Sequence, residues 1–134
     1  MEDESLRIVE EEQVKVFNIR HRCFYFSKDI ITFIKTQKTE RLFYPLFSQL
    51  LRSATSIGAN IVEGSAGSSN KDFVNFHTIA LKSANETKYW LCLIRDTMDS
   101  ISQSELNTFI KEADEISKII AKIILNVKTQ KRAL

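Results

Sequence analysis

Few side chains in this sequence are of a type and spacing that could do chemistry, and they complete no catalytic or metal site. His21 and Cys23 lie two residues apart, which places them on different faces of a helix and is not the spacing of a structural zinc site. Neither His21 nor His77 has a glutamate three residues before it, so the E-x-x-H motif of di-metal helical bundles is absent. We therefore expect no metal and no cofactor.

A second set of polar residues lies in the segment Leu46–Phe73. Glu63 could act as an acid or base beside Asn60 or Arg52, but polar residues on a mostly apolar helix more often satisfy one another or fix an interface. The glycine pair in Gly64–Ser68 lacks the lysine of a phosphate-binding loop, so we interpret that stretch as a linker. We predict no catalytic residue and expect that the protein is not an enzyme.

The net charge of +2 is unevenly distributed along the chain. Residues 1–12 carry six acidic and one basic side chain, residues 13–41 carry two acidic and seven basic ones, and residues 116–134 carry five basic ones alone. A concentrated positive surface indicates a polyanion such as RNA or DNA, although such cations can also simply solvate the outer faces of two helices. The candidate nucleic-acid-binding residues are Arg20, Arg22, Lys28, Lys35, Lys118, Lys122 and Lys128.

The elements that must position these residues are helices. Three glycines and one proline in 134 residues favour long helices over many short strands, and apolar residues recur at alternating spacings of three and four. The predicted helices are about Lys15–Thr36, about Pro45–Glu63, one from the Ser69–Asp72 capping box to about Met98, and one from the Ser102–Glu105 capping box onward. Short connections between them predict an all-α, antiparallel up-and-down four-helix bundle.

This bundle should form one domain over residues 13–134, preceded by a disordered acidic leader over residues 1–12. Gly64 is expected to end the second helix at positive φ. No apolar run is long enough to span a membrane, and the start of the chain is acidic where a signal peptide would be basic. We expect a soluble, cytoplasmic protein with no membrane partner, in which Cys23 and Cys92 stay free thiols.

The second predicted helix is unusually poor in charge. Between Leu46 and Asn70 the only charged residues are Arg52 and Glu63, whereas 27% of the whole chain is charged. A helix with one face in water normally carries more charge, so we expect this one to be covered by its own bundle and by another subunit. Gly58 within it suits a close approach of two backbones.

The stretch QLLRSATSIGANIVEGS, followed by S-x-K-D-F, resembles the small bacterial four-helix-bundle proteins encoded in intervening sequences of 23S ribosomal RNA genes. It is also similar to the accessory variability determinant of diversity-generating retroelements. The match covers about Glu40–Leu91. The family-like residues, which we assign to the motif and to assembly, are Arg52, Ser56, Gly58, Asn60, Glu63, Gly64, Lys71 and Glu86.

The resemblance implies a homo-oligomeric ring, commonly a pentamer, without known catalysis; in the retroelement relatives it binds nucleic acid and a reverse transcriptase. Hinges of this kind tend to be basic in the family, whereas Gly67, Ser68 and Asn70 stand there in this chain, so its cations should act from the first helix and the C-terminal segment. Two functions follow: a nucleic-acid-binding accessory protein, or a scaffold that docks a partner such as a reverse transcriptase.

Overall fold

The computed structural model describes residues 18–133, with side chains to residue 130. It contains four α-helices, α1 (Ile19–Thr36), α2 (Tyr44–Ser65), α3 (Asn70–Thr97) and α4 (Gln103–Ala133), and a 3-10 turn over Arg41–Phe43 before α2. The described residues include no strand. The all-α prediction is therefore confirmed, whereas the acidic leader predicted over residues 1–12 lies outside the described residues.

The two longest helices, α3 and α4, begin at serines whose side chains satisfy a free N–H group of the first turn. Ser69 Oγ accepts a hydrogen bond from Asp72 N over 3.1 Å at the start of α3, and Ser102 Oγ accepts one from Glu105 N over 3.4 Å at the start of α4. Such caps stabilise a helix by about 1 kcal/mol each. Pro45 lies in the first turn of α2, where its missing N–H costs nothing.

Each helix packs on its neighbour in sequence, and α4 returns to pack on α1. This is the up-and-down bundle that the sequence predicts. α3 has 28 residues and is therefore about 42 Å long at 1.5 Å per residue, which gives the bundle its height.

The core forms from the apolar residues that recur every three or four positions. On α1 these include Cys23, Phe26, Ile30 and Phe33, all at most 3% exposed. Phe109 of α4 meets the ring of Phe33 edge-on at 5.4 Å between centroids, a favoured aromatic geometry. Burial of each large apolar side chain contributes about 1.5–3 kcal/mol, so the seams between helices are held mainly by these contacts.

Two glycines mark close packing within the bundle. A Cβ at Gly58 would lie 3.2 Å from Cys23 Cβ, so α1 and α2 approach closely there, as the sequence predicts. The prediction of positive φ at Gly64 is wrong, because no described glycine has positive φ. α2 continues through Gly64 to Ser65, and Ala66 N donates to Val62 O over 3.2 Å.

Gly64 instead provides space. A Cβ on this residue would lie 2.8 Å from His77 Nδ1, closer than real contacts allow.

No helix among the described residues has the length and apolar character of a membrane span.

Candidate nucleic-acid and assembly surfaces

The motif residues of α2 form a polar seam with α3, made by Arg52, Ser56 and Asn60 on α2 and Ser83 and Glu86 on α3. Arg52 Nη2 lies 2.6 Å from Glu86 Oε1, and Ser56 Oγ lies 2.9 Å from Ser83 Oγ. Asn60 Nδ2 donates to both the carbonyl and the hydroxyl of Ser56, over 2.8 and 3.0 Å. These side chains satisfy one another inside a single chain, so the polar seam holds α2 to α3.

A buried layer of hydroxyl groups lies beneath the polar seam. Thr87 Oγ1 donates to Ser53 Oγ over 2.9 Å and to Ser83 O over 2.7 Å, and Ser53 Oγ donates to Leu50 O over 3.2 Å. Ser53 and Thr87 are fully buried. Ser53 was not predicted to be buried, although its spacing of three from Leu50 and four from Ile57 places it on the apolar stripe of α2.

His77 fills the space that Gly64 leaves. It is 2% exposed, its Nδ1 donates to Phe73 O over 2.8 Å, and its ring stacks on that of Phe73 at 3.8 Å between centroids. Burial lowers the pKa of His77, and the hydrogen bond to Phe73 offsets this only in part. The imidazole is thus a neutral packing group. Among residues 18–130, no three His, Cys, Asp or Glu side chains lie close enough together to hold a metal ion.

Arg22 lies in the seam between α1 and α4. Its Nε is 2.6 Å from Glu112 Oε1 and its Nη2 is 3.0 Å from Glu112 Oε2 and 3.1 Å from Glu115 Oε2. The hydrogen bond to Glu112 raises the pKa of Arg22 above its usual range. We expected this guanidinium to face solvent, but that is wrong, since its side chain is only 19% exposed and two carboxylates hold it.

The other candidate cations are exposed, and they form two separate surfaces. Arg20, Lys28 and Lys35 make the α1 basic surface, and Arg20 lies on its α2 side, in a groove shared with α2. The α4 basic surface consists of Lys118, Lys122 and Lys128.

The α4 basic surface faces toward α3. Lys118 Nζ lies 3.0 Å from Asp114 Oδ2, and Lys88 of α3 reaches the other oxygen of Asp114 over 3.1 Å. Lys128 lines a cavity of about 170 Å³ with Lys71 of α3, so Lys71 joins this surface. Because the cluster of Arg22 and its two carboxylates occupies the seam between α1 and α4, the two basic surfaces are not continuous.

An apolar surface runs along the outside of α1 and α2. Phe24 is 65% exposed and Val62 is 52% exposed, and Ile31 and Leu51 are exposed with them. Between the two helices lies the α1/α2 groove, of about 440 Å³, whose lining includes Arg20, Phe24, Ser27, Thr55, Gly58, Ala59, Val62 and Glu63.

We predicted that α2 would have a second covered face and assigned mainly its polar residues to that face. Of the predicted assembly residues, only Gly58 and Glu63 line the α1/α2 groove. Two exposed apolar residues of α2, Leu51 and Val62, were not among them. The available signal was the spacing of Leu51 and Val62, eleven residues apart, which is about three helical turns.

Comparison with known proteins identifies a family and a similar solved structure. The family model described as 23S rRNA-intervening sequence protein matches residues 15–122. A crystal structure of a protein of unknown function from the S23 ribosomal protein family of Bacteroides thetaiotaomicron is similar, with 36% identity, a TM-score of 0.75, and coverage of 82% of this chain and 97% of that one. No curated protein matches.

Proposed function

Because the chain belongs to the 23S rRNA-intervening sequence protein family, we propose that it is a non-enzymatic, cytoplasmic, homo-oligomeric bundle that binds RNA or DNA. It would act as an accessory protein of an rRNA intervening sequence or of a retroelement. One observation carries the nucleic-acid part. Lys28, Lys35, Lys122 and Lys128 are exposed and have no carboxylate partner among the described residues, whereas Arg22, Arg52, Lys88, Arg95 and Lys118 are each paired with a carboxylate.

Unpaired lysines on a helical surface are suited to phosphate contacts, which carry most of the affinity of sequence-independent binding. Each chain offers only a few such contacts. Repetition of both basic surfaces around a homo-oligomer would convert weak contacts into useful avidity. A pentamer is the subunit number that the family resemblance implies.

The test compares two double variants with a matched control. K28A/K35A removes two unpaired cations from the α1 basic surface, and K122A/K128A removes two from the α4 basic surface. K88A/R95A removes two cations that are held by Asp114 and Asp96. Affinity for duplex DNA and structured RNA is measured by fluorescence anisotropy across a series of salt concentrations.

Each lost phosphate contact should reduce the slope of log affinity against log salt by about 0.9 on duplex DNA. We expect the two lysine variants to weaken binding and flatten that slope, and the control to leave both unchanged. Salt-independent binding, or no detectable binding by the wild-type oligomer, would contradict the proposal.

The exposed apolar residues of α1 and α2 favour a second candidate, a scaffold that docks a partner protein such as a reverse transcriptase. In that case a pull-down from the native host would recover one partner in a fixed ratio, and nuclease treatment would not release it. Loss of the partner on nuclease treatment would instead favour nucleic-acid binding.

A further inference from the structure

We propose that copies of this chain contact one another through the α1/α2 groove and that Arg20 of one copy pairs with Glu63 of a neighbouring copy. The inference rests on the homo-oligomer of the proposed function and specifies one twofold contact within it, which joins copies in pairs because Arg20 and Glu63 of each copy meet Glu63 and Arg20 of the other. It moves Arg20 from the nucleic-acid contacts to the assembly contacts.

The two walls of the α1/α2 groove carry opposite charges. Arg20 stands on the α1 wall of the groove and Glu63 on the α2 wall, and neither side chain has an ion pair or hydrogen-bond partner among the described residues. Both are exposed. A surface that docks here meets the cation of Arg20 on the α1 side and the carboxylate of Glu63 on the α2 side. A complementary partner therefore places a carboxylate opposite Arg20 and a cation opposite Glu63.

A second copy of the chain does so. Gly58 of α2 touches Cys23 of α1, and this contact fixes the relative height of the two antiparallel helices. Arg20 lies three residues before Cys23 and Glu63 five residues after Gly58, so they lie about 4.5 and about 7.5 Å from the contact, toward the same end of the bundle.

When two bundles stand side by side with parallel axes and their α1 and α2 helices meet, α1 of one copy lies opposite α2 of the other. Arg20 then faces the neighbouring Glu63 at the same height. Copies in the reverse orientation would place these residues at opposite ends of the contact. The two charges thus select the parallel orientation, as charges at a rim usually set register and partner choice.

The two walls of the α1/α2 groove also differ in height. The ring of Phe24 projects from α1 with 65% of its surface exposed, whereas the facing wall of α2 is low, because Gly58 and Ala59 have small side chains. Across the contact, Phe24 of one copy would lie over Gly58 and Ala59 of the next, beside Val62, which is itself 52% exposed. An aromatic anchor in a shallow apolar hollow with charges at its edge is typical of a protein interface.

Charge reversal tests the pairing. In R20E two glutamates face each other across the contact, and in E63R two arginines do. Each variant should self-associate at least about tenfold more weakly than wild type, since like charges placed opposite one another are strongly unfavourable. An equimolar mixture of R20E and E63R should recover association, because the glutamate introduced in one variant then meets the arginine introduced in the other.

The measurements are native mass spectrometry and sedimentation velocity at micromolar concentrations, with far-UV circular dichroism to show that each variant is folded. Lys111→Glu is the control, because Lys111 is an exposed residue of α4 outside the α1/α2 groove; the variant makes the same change of charge as R20E and should leave the oligomer mass unchanged.

Two results would overturn the inference. In the first, R20E and E63R keep the wild-type mass; the assembly in the proposed function then survives, and only its interface is wrong. In the second, the single variants dissociate and their equimolar mixture does not regain the association of the wild-type protein. A wild-type protein that is monomeric at these concentrations would instead refute the proposed assembly itself, and the lysine variants would still test nucleic-acid binding separately.

Discussion

Replacement of Gly64 by alanine should destabilise the bundle even though alanine is the better helix former. Alanine in place of glycine within a helix contributes about 1 kcal/mol of stability. The new Cβ would lie 2.8 Å from His77 Nδ1, 3.0 Å from His77 Cε1 and 3.0 Å from Phe76 Cβ. Overpacking of this kind costs about 1–3 kcal/mol.

His77 cannot move aside cheaply. A swing of its ring would break the 2.8 Å hydrogen bond to Phe73 O and its stacking on Phe73, and a buried donor left without an acceptor costs about 1–3 kcal/mol. The cost should therefore lie near the upper end of the overpacking range. We expect a net loss of about 1–2 kcal/mol, or about 4–7 °C in Tm for a chain of this length.

Urea and thermal unfolding followed by circular dichroism measure this loss, with two comparison variants. G58A brings its Cβ only to 3.2 Å from Cys23 Cβ, so it should cost less than G64A. In an H77A background the two contacts with the imidazole are gone and the 3.0 Å contact with Phe76 Cβ remains, so G64A should cost less there than in the wild-type chain. If G64A stabilises the wild-type chain, or costs as much without His77 as with it, the packing explanation is wrong.

Three further predictions concern single side chains. R22A should destabilise the protein by about 1–3 kcal/mol, because Glu112 and Glu115 lose their shared partner. The salt dependence of nucleic-acid affinity should stay unchanged in R22A. A weaker salt dependence would instead show that Arg22 contacts phosphate. Because the pKa of His77 is lowered from 6.5 in the folded state, the stability it contributes is complete above pH 6.5 and falls as the pH drops below it. Urea midpoints at pH 7.5 and 5.5 should therefore differ more in wild type than in H77Q, and equal differences would contradict the assignment. T87V should cost about 1 kcal/mol by removing the hydroxyl that bonds Ser53 and the Ser83 carbonyl, and an unchanged urea midpoint would show that this buried layer is not stabilising.

The fold could be predicted because its signals are local and repeated. The three and four spacing of apolar residues places the helices, and Ser69 and Ser102 fix the starts of α3 and α4 to within a residue. The error at Gly64 has a physical cause. A glycine near a helix end usually relieves backbone strain, but here it relieves a side-chain clash with His77, which belongs to another helix.

The surfaces were less predictable, because they depend on which residues meet across helices. Arg22 and Arg20 are both arginines on α1, yet Arg22 meets two glutamates that lie ninety residues away or more, whereas Arg20 meets none within the described part of the chain. The polar residues of α2 were expected either to satisfy one another or to fix an interface. The sequence could not show that their partners would be Ser83 and Glu86 of the same chain.

The contact between Cys23 and Gly58 also gives the bundle a built-in chemical reporter. The Cys23 thiol is fully buried, and burial raises its pKa to about 12, so it is almost entirely un-ionised at neutral pH and inaccessible to a thiol reagent. Cys92 is only half-buried. A reagent should therefore label Cys92 in the closed bundle and reach Cys23 only when α1 separates from α2, so the rate of the second labelling event measures how often that seam opens.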